Sequence, residues 1–172
     1  YDAEYTLLEP ERVGYTFTGW YLDNELVKSG IWQRTEDIAL TAQWVANEYA
    51  ITFDANGGIL EEETLTVTYD VEYILPEPER VGYTFTGWYL EDELMESGVW
   101  QRTENITLTA QWTANEYTIT FDTNGGVSEE NTLTVTYDAE YTLPEPERVG
   151  YTFVGWYLED KLVESGVWQR TE

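Results

Sequence analysis

The chain has 172 residues, with 34 Asp and Glu against 8 Lys and Arg, no His and no Cys, for a formal net charge of −26. That charge excludes electrostatic binding to nucleic acid or to an anionic membrane surface. The missing residue types remove disulfides, thiolate nucleophiles, zinc-thiolate sites and the commonest general base. Apolar residues make up 42% and aromatics 16%, which predicts a packed core rather than disorder. No apolar run approaches the roughly eighteen residues that cross a bilayer, so no membrane insertion is expected.

Self-similarity dominates what remains. A Tyr-Asp pair recurs at Tyr1, Tyr69 and Tyr137, and a Gly-Tyr-Thr-Phe block at Gly14, Gly82 and Gly150, each time 68 residues on, with no insertion or deletion. The expected organisation is a complete repeat over 48–115. Residues 1–47 form a partial repeat without its first strands, and residues 116–172 one without its last strand. The aromatics keep the same lattice: Trp20, Trp88 and Trp156 are equivalent, as are Trp32, Trp100 and Trp168. Small repeats must bury large side chains, so these read first as core. Platforms that stack a ligand are the rival reading.

In chain order, the complete repeat opens with an alternating strand, with Tyr49, Ile51 and Phe53 on one face. Asp54-Ala55-Asn56-Gly57-Gly58 is turn chemistry, because Asn-Gly accepts positive φ cheaply. A second strand sets Leu65, Val67 and Tyr69 against Thr64, Thr66 and Thr68. Two prolines in Leu75–Arg80 exclude a central strand and predict an extended loop or a single helical turn. Residues 82–90 read as a third strand, with Tyr83, Phe85 and Tyr89 opposite Thr84, Thr86 and Trp88, and Gly87 marks a bulge. Glu91–Trp100 carries Leu94 and Met95 in a polar run closed by Gly98, which predicts one short helix. Asn105–Trp112 is the closing strand, with Ile106, Leu108, Ala110 and Trp112 inward. Only Thr113–Glu116 separates it from the next repeat.

The order Tyr-x-Ile-Thr-Phe-Asp-x-Asn-Gly-Gly, Thr-Val-Thr-Tyr-Asp, Leu-Pro-x-Pro, Gly-Tyr-Thr-Phe-x-Gly-Trp-Tyr and Ile-Thr-Leu-Thr-Ala-Gln-Trp resembles the Listeria–Bacteroides repeat, also called the internalin B-repeat. The resemblance covers the whole chain. It implies a β-rich α+β fold of tandem small β-grasp (ubiquitin-like) repeats forming an elongated rod, carried by bacterial surface proteins as a stalk or accessory adhesive module. It brings no catalytic residues.

The residues themselves offer little chemistry. Glu61, Glu62 and Glu63 are adjacent carboxylates, but acid–base work needs a concave site with separated pKa values, and no enzyme activity is expected. Asp54, Asn56 and the acids that follow offer oxygen ligands, and Asp122 recurs in the position of Asp54. The twelfth position counted from either Asp is Leu65 or Leu133, which lacks the bidentate Glu of an EF-hand. Weak Ca²⁺ binding is the one metal chemistry left open, and no cofactor is expected. Lys28 and Lys161 are not equivalent, so a crosslink shared by all repeats is excluded. Arg12, Arg80 and Arg148 recur, with stems expected on aromatics. The candidate binding or interface residues are Trp32, Trp100, Trp168, Arg34, Arg102 and Arg170.

These readings converge on a non-enzymatic extracellular repeat at the bacterial cell surface. It would act as a surface stalk, spacer or fibre-building segment of an adhesin-like protein, with neighbouring repeats or copies of itself as partners. The alternative is an adhesive module that binds a host or neighbour-cell protein or glycan through exposed Trp and Tyr.

Overall fold

Apolar residues alternating with Thr specify strands throughout, and the computed structural model, which describes residues 1–171, contains no helix among them. The first repeat holds β1 (Glu4–Tyr5), β2 (Tyr15–Leu22), β3 (Glu25–Val27), β4 (Gly30–Ile31) and β5 (Thr41–Ala46). The middle repeat holds β6 (Glu48–Asp54), β7 (Thr64–Thr68), β8 (Glu72–Tyr73), β9 (Tyr83–Leu90), β10 (Glu93–Met95), β11 (Gly98–Val99) and β12 (Ile106–Ala114). The third holds β13 (Glu116–Thr120), β14 (Thr132–Thr136), β15 (Glu140–Tyr141), β16 (Trp156–Leu158), β17 (Lys161–Val163) and β18 (Gly166–Val167).

The expected α+β, β-grasp arrangement is therefore corrected to an all-β one, built of several small sheets. The helix expected over Glu91–Trp100 does not form. Leu90 pairs with Glu93 across a two-residue hairpin turn, and Glu91 sits at φ 55°. The corresponding turns of the outer repeats put both residues in left-handed backbone, Asp23 and Asn24 at φ 46° and 71° and Glu159 and Asp160 at φ 46° and 64°, whereas in the middle repeat Glu91 alone of the two is left-handed. Two left-handed residues in a two-residue loop match the right-handed twist of the flanking strands. Asp and Asn announce such a turn, whereas Glu disguises it. Leu75–Arg80 stays extended, since each Pro disfavours helix in the residue before it. Glu79 exchanges both backbone bonds with Ile59, at 2.7 and 3.0 Å.

The main sheet has five strands in the order β10-β9-β12-β6-β7, so the closing strand β12 lies at its centre. β6 pairs with β7 antiparallel and with β12 parallel, Ile106 facing Ile51 and Leu108 facing Phe53. In the first repeat β5 pairs with β2, and the register shifts between Phe17 and Gly19, whose φ is 145°. The bulge puts Phe17 and Trp20 on one face although they are three residues apart, with rings 5.7 Å apart. Gly87 has the matching φ of 143°. The simple alternation that set Trp88 on the face opposite Phe85 is corrected accordingly, and Trp88 is a core residue, 2% exposed.

Two compact units arise, and they cut across the repeats. One comprises Tyr1–Asp54, Glu61–Pro76 and Trp88–Thr109; the other comprises Ala55–Leu60, Glu77–Gly87 and Ala110 onward. The first is centred on Ile51, Val67, Trp88, Trp100 and Leu108. Complete burial of Ile51 and Leu108 stabilises it by about 1.5–3 kcal/mol each. Trp88 packs on Phe53 at 4.7 Å and donates its indole N–H to the Pro76 carbonyl at 2.7 Å. In the second unit, Ala110, Phe121, Val135 and Trp168 are buried, and Trp156 packs on Phe121 at 4.6 Å.

Candidate functional site at the repeat joints

Four residues were expected between successive repeats, but the strands extend until a single residue lies between them. Asn47 separates β5 from β6, and Asn115 separates β12 from β13. Each Asn is held on three sides. Asn47 N–H donates to the Gly14 carbonyl at 2.9 Å, and its carbonyl accepts from Tyr69 N–H at 2.9 Å. Its side-chain oxygen accepts the Thr16 hydroxyl at 2.6 Å. Asn115 repeats the set with Gly82, Tyr137 and Thr84, at 2.9, 2.9 and 2.6 Å. Asn suits this position because its short amide supplies the acceptor while its backbone serves both neighbouring strands.

Around each Asn, one repeat grips the next. Tyr15 packs edge-on against Tyr69, with centroids 5.6 Å apart and planes at 73°, and its hydroxyl donates to Asp70 at 2.9 Å. Tyr83 does the same with Tyr137 and Asp138, at 5.6 Å, 72° and 2.9 Å. The outer face of each Tyr is covered by a guanidinium, with Arg12 3.6 Å above Tyr15 and Arg80 3.8 Å above Tyr83. The hydrogen bond to Asp70, then burial, raises the Tyr15 pKa above its ordinary value, and Asp138 acts likewise on Tyr83.

Glycine is required where the repeats touch. Gly14 and Gly82 both lie at φ 76°, and a Cβ there would sit 2.2–2.4 Å from ring carbons of Tyr69 or Tyr137. Gly150 adopts nearly the same φ, 80°, yet a Cβ on it would meet nothing within 4 Å. The crowding at the first two positions therefore comes from the following repeat, and not from the turn itself.

The sequence profile of the Listeria-Bacteroides repeat domain matches residues 1–43, 49–113 and 117–170. The chain belongs to the Listeria-Bacteroides repeat family. Among relatives, a protein of Evansella cellulosilytica named as a membrane protein is 35% identical over 95% of this chain and 26% of its own length. Internalin H of Listeria monocytogenes is 38% identical over 62% of this chain and 21% of its own length. The chain thus spans about a quarter or less of the relatives it matches. No solved structure matches it.

Within these Listeria-Bacteroides repeats, the candidate residues read from sequence lie beside the joint and not in it. Trp100 is 1% exposed and Trp168 9%, while Trp32 is half-buried. The rings of Trp32, Trp100 and Trp168 pack on Tyr5, Tyr73 and Tyr141 respectively, at 5.8, 5.6 and 5.6 Å. Their backbones do reach the joint: the Trp100 carbonyl accepts Asp70 N–H and the Trp168 carbonyl accepts Asp138 N–H, both at 2.8 Å, fixing the Asp turn. Arg102 is turned toward its own repeat, 3.5 Å from Glu93 and touching the Met95 sulfur. Arg34 and Arg170 are exposed. The joints use the other arginine set. Arg80 also donates to the Asn56 carbonyl at 3.1 Å, and Arg148, stacked on Tyr151, donates to that of Asn124 at 2.9 Å. In the loops weighed for Ca²⁺, Asn56 donates to the Ala110 carbonyl and Asp122 accepts Asn124 N–H. Sequence reasoning missed Tyr15, Tyr83, Asp70, Asp138, Gly14, Gly82, Asn47 and Asn115. The usable signal was a polar Asn recurring between two apolar strands.

Proposed function

We propose that this chain is a non-enzymatic stalk or spacer segment of a bacterial surface protein, holding whatever it carries at a defined distance from the envelope. The observation that supports this reading most is the joint. Two successive joints reuse the same hydrogen bonds and Tyr–Tyr contacts to within about 0.1 Å, with one residue of linker, so the link between repeats is a packed contact and not a tether. The names of its relatives, a membrane protein and an internalin, fit an envelope setting. The adhesive alternative draws less support, because Trp88 and Trp100 are 2% and 1% exposed and offer no stacking face.

Two measurements test it. The chain has no Cys, so spin labels at introduced cysteines Thr18→Cys and Glu61→Cys report distance across the first joint. A single narrow distance distribution is expected, and a broad one would refute a spacer. External protease on intact cells that express the full-length parent protein should release peptides of this chain. Complete protection would refute a surface location.

A further inference from the structure

Tension on a tandem repeat enters and leaves through the strands at its two ends. In the middle repeat these are β6, entered from Asn47, and β12, left at Asn115. The two strands are neighbours and run parallel, Ile106 opposite Ile51, Thr107 opposite Thr52, Leu108 opposite Phe53 and Thr109 opposite Asp54. Because they are parallel, the start of β6 and the end of β12 lie at opposite ends of this ladder. Pulling on them slides one strand along the other. The evenly spaced interstrand bonds of a parallel pair then share the load and must fail together.

We propose that the β6–β12 ladder is a tension-bearing clamp, making each complete repeat a load-bearing element of the stalk. Side chains reinforce the backbone in this direction. A slip of one residue would turn Leu108, 0% exposed, to the opposite face. A slip that restores the faces must cover two residues, about 6.6 Å, with the core broken on the way. Asn105 adds a bond at the near end of the ladder, its side-chain oxygen accepting Ala50 N–H at 2.8 Å. The antiparallel hairpins β6–β7 and β9–β10 close locally and lie outside the direct path between entry and exit. The clamp rests on the stalk reading only for the source of the tension, and the ladder geometry stands independently of it.

Single-molecule pulling on the 172-residue chain tests the clamp through the direction of load. Glu48→Cys with Thr113→Cys applies shear. Glu48→Cys with Glu104→Cys grips the same end of both strands and peels them apart. All three positions are exposed, and equal melting temperatures of the two variants would show that both fold alike. Forced unfolding reads the barrier along the pulled direction. The expected result is an unfolding force at least about twofold higher in shear than in peeling at the same loading rate. Equal forces, or a higher force in peeling, would overturn the clamp and leave the spacer reading to its own test of surface exposure.

Discussion

Replacing Gly82 by Ala tests the joint most directly, because the chain contains its own control. At Gly150 the same substitution meets the same backbone penalty and no neighbour, since φ is 80° and no atom lies within 4 Å of the new Cβ. Left-handed backbone costs an L-residue about 1–2 kcal/mol, so Gly150→Ala is expected to lose about that much. At Gly82 three ring carbons of Tyr137 lie 2.3–2.4 Å from the new Cβ. No pair of carbon atoms tolerates that approach, and the ring must move. Overpacking of this kind costs about 1–3 kcal/mol, so Gly82→Ala is expected to lose about 2–5 kcal/mol in all. Moving the ring also pulls Tyr137 away from the Asn115 carbonyl that accepts its N–H. Urea denaturation gives the two stability losses, and spin labels flanking Asn115 read the geometry. Gly82→Ala should broaden the distance distribution, whereas Gly150→Ala should leave it unchanged. Equal stability losses together with equal distributions would refute the claim that crowding by the next repeat dictates glycine at this position.

Residues 48–115 carry 14 acids and 2 bases, and repulsion between such repeats is screened over about 8–10 Å near physiological salt. The melting temperature should therefore rise between low salt and 0.5 M NaCl, because the exposed Arg102–Glu93 pair gives up little on screening; a fall would contradict this. Trp88→Ala should cost about 3–5 kcal/mol in a urea titration, and a variant as stable as the parent would remove Trp88 from the core. Trp88→Phe should cost about 1 kcal/mol more than Trp100→Phe. The first leaves the Pro76 carbonyl without its donor, while the buried Trp100 indole N–H has no acceptor within reach; the reverse ranking would argue against that bond. Tyr15 and Tyr83 have pKa values raised in the folded chain. Their contribution is whole below the ordinary tyrosine value of about 10 and is lost as pH rises through the folded value. Tyr83→Phe should therefore flatten the fall of stability measured above pH 10, and an unchanged slope would show that the Asp138 contact contributes nothing.

Much of this protein follows from short-range features of the chain. The Thr-alternating strands, the Asn56-Gly57 turn and the bulge glycine depend on neighbours within a few residues, and the 68-residue period is read directly along the chain, so the sequence alone determines them, whereas it left Leu75–Arg80 between an extended loop and a helical turn. The two-residue turn at Glu91 escaped because Glu rarely takes left-handed backbone, and only the pairing of Leu90 with Glu93 imposes it. What tertiary structure decided is non-local. It set β12 parallel to β6, although Ile106 and Ile51 are 55 residues apart. It turned Trp88 inward through a bulge, brought Tyr83 onto Asp138 across 55 residues, and reduced the linker to Asn115. Local alternation says which residues face a common side, but not which strand lies next to which. That choice belongs to the apolar faces that must be covered together, and they meet only when the repeats pack.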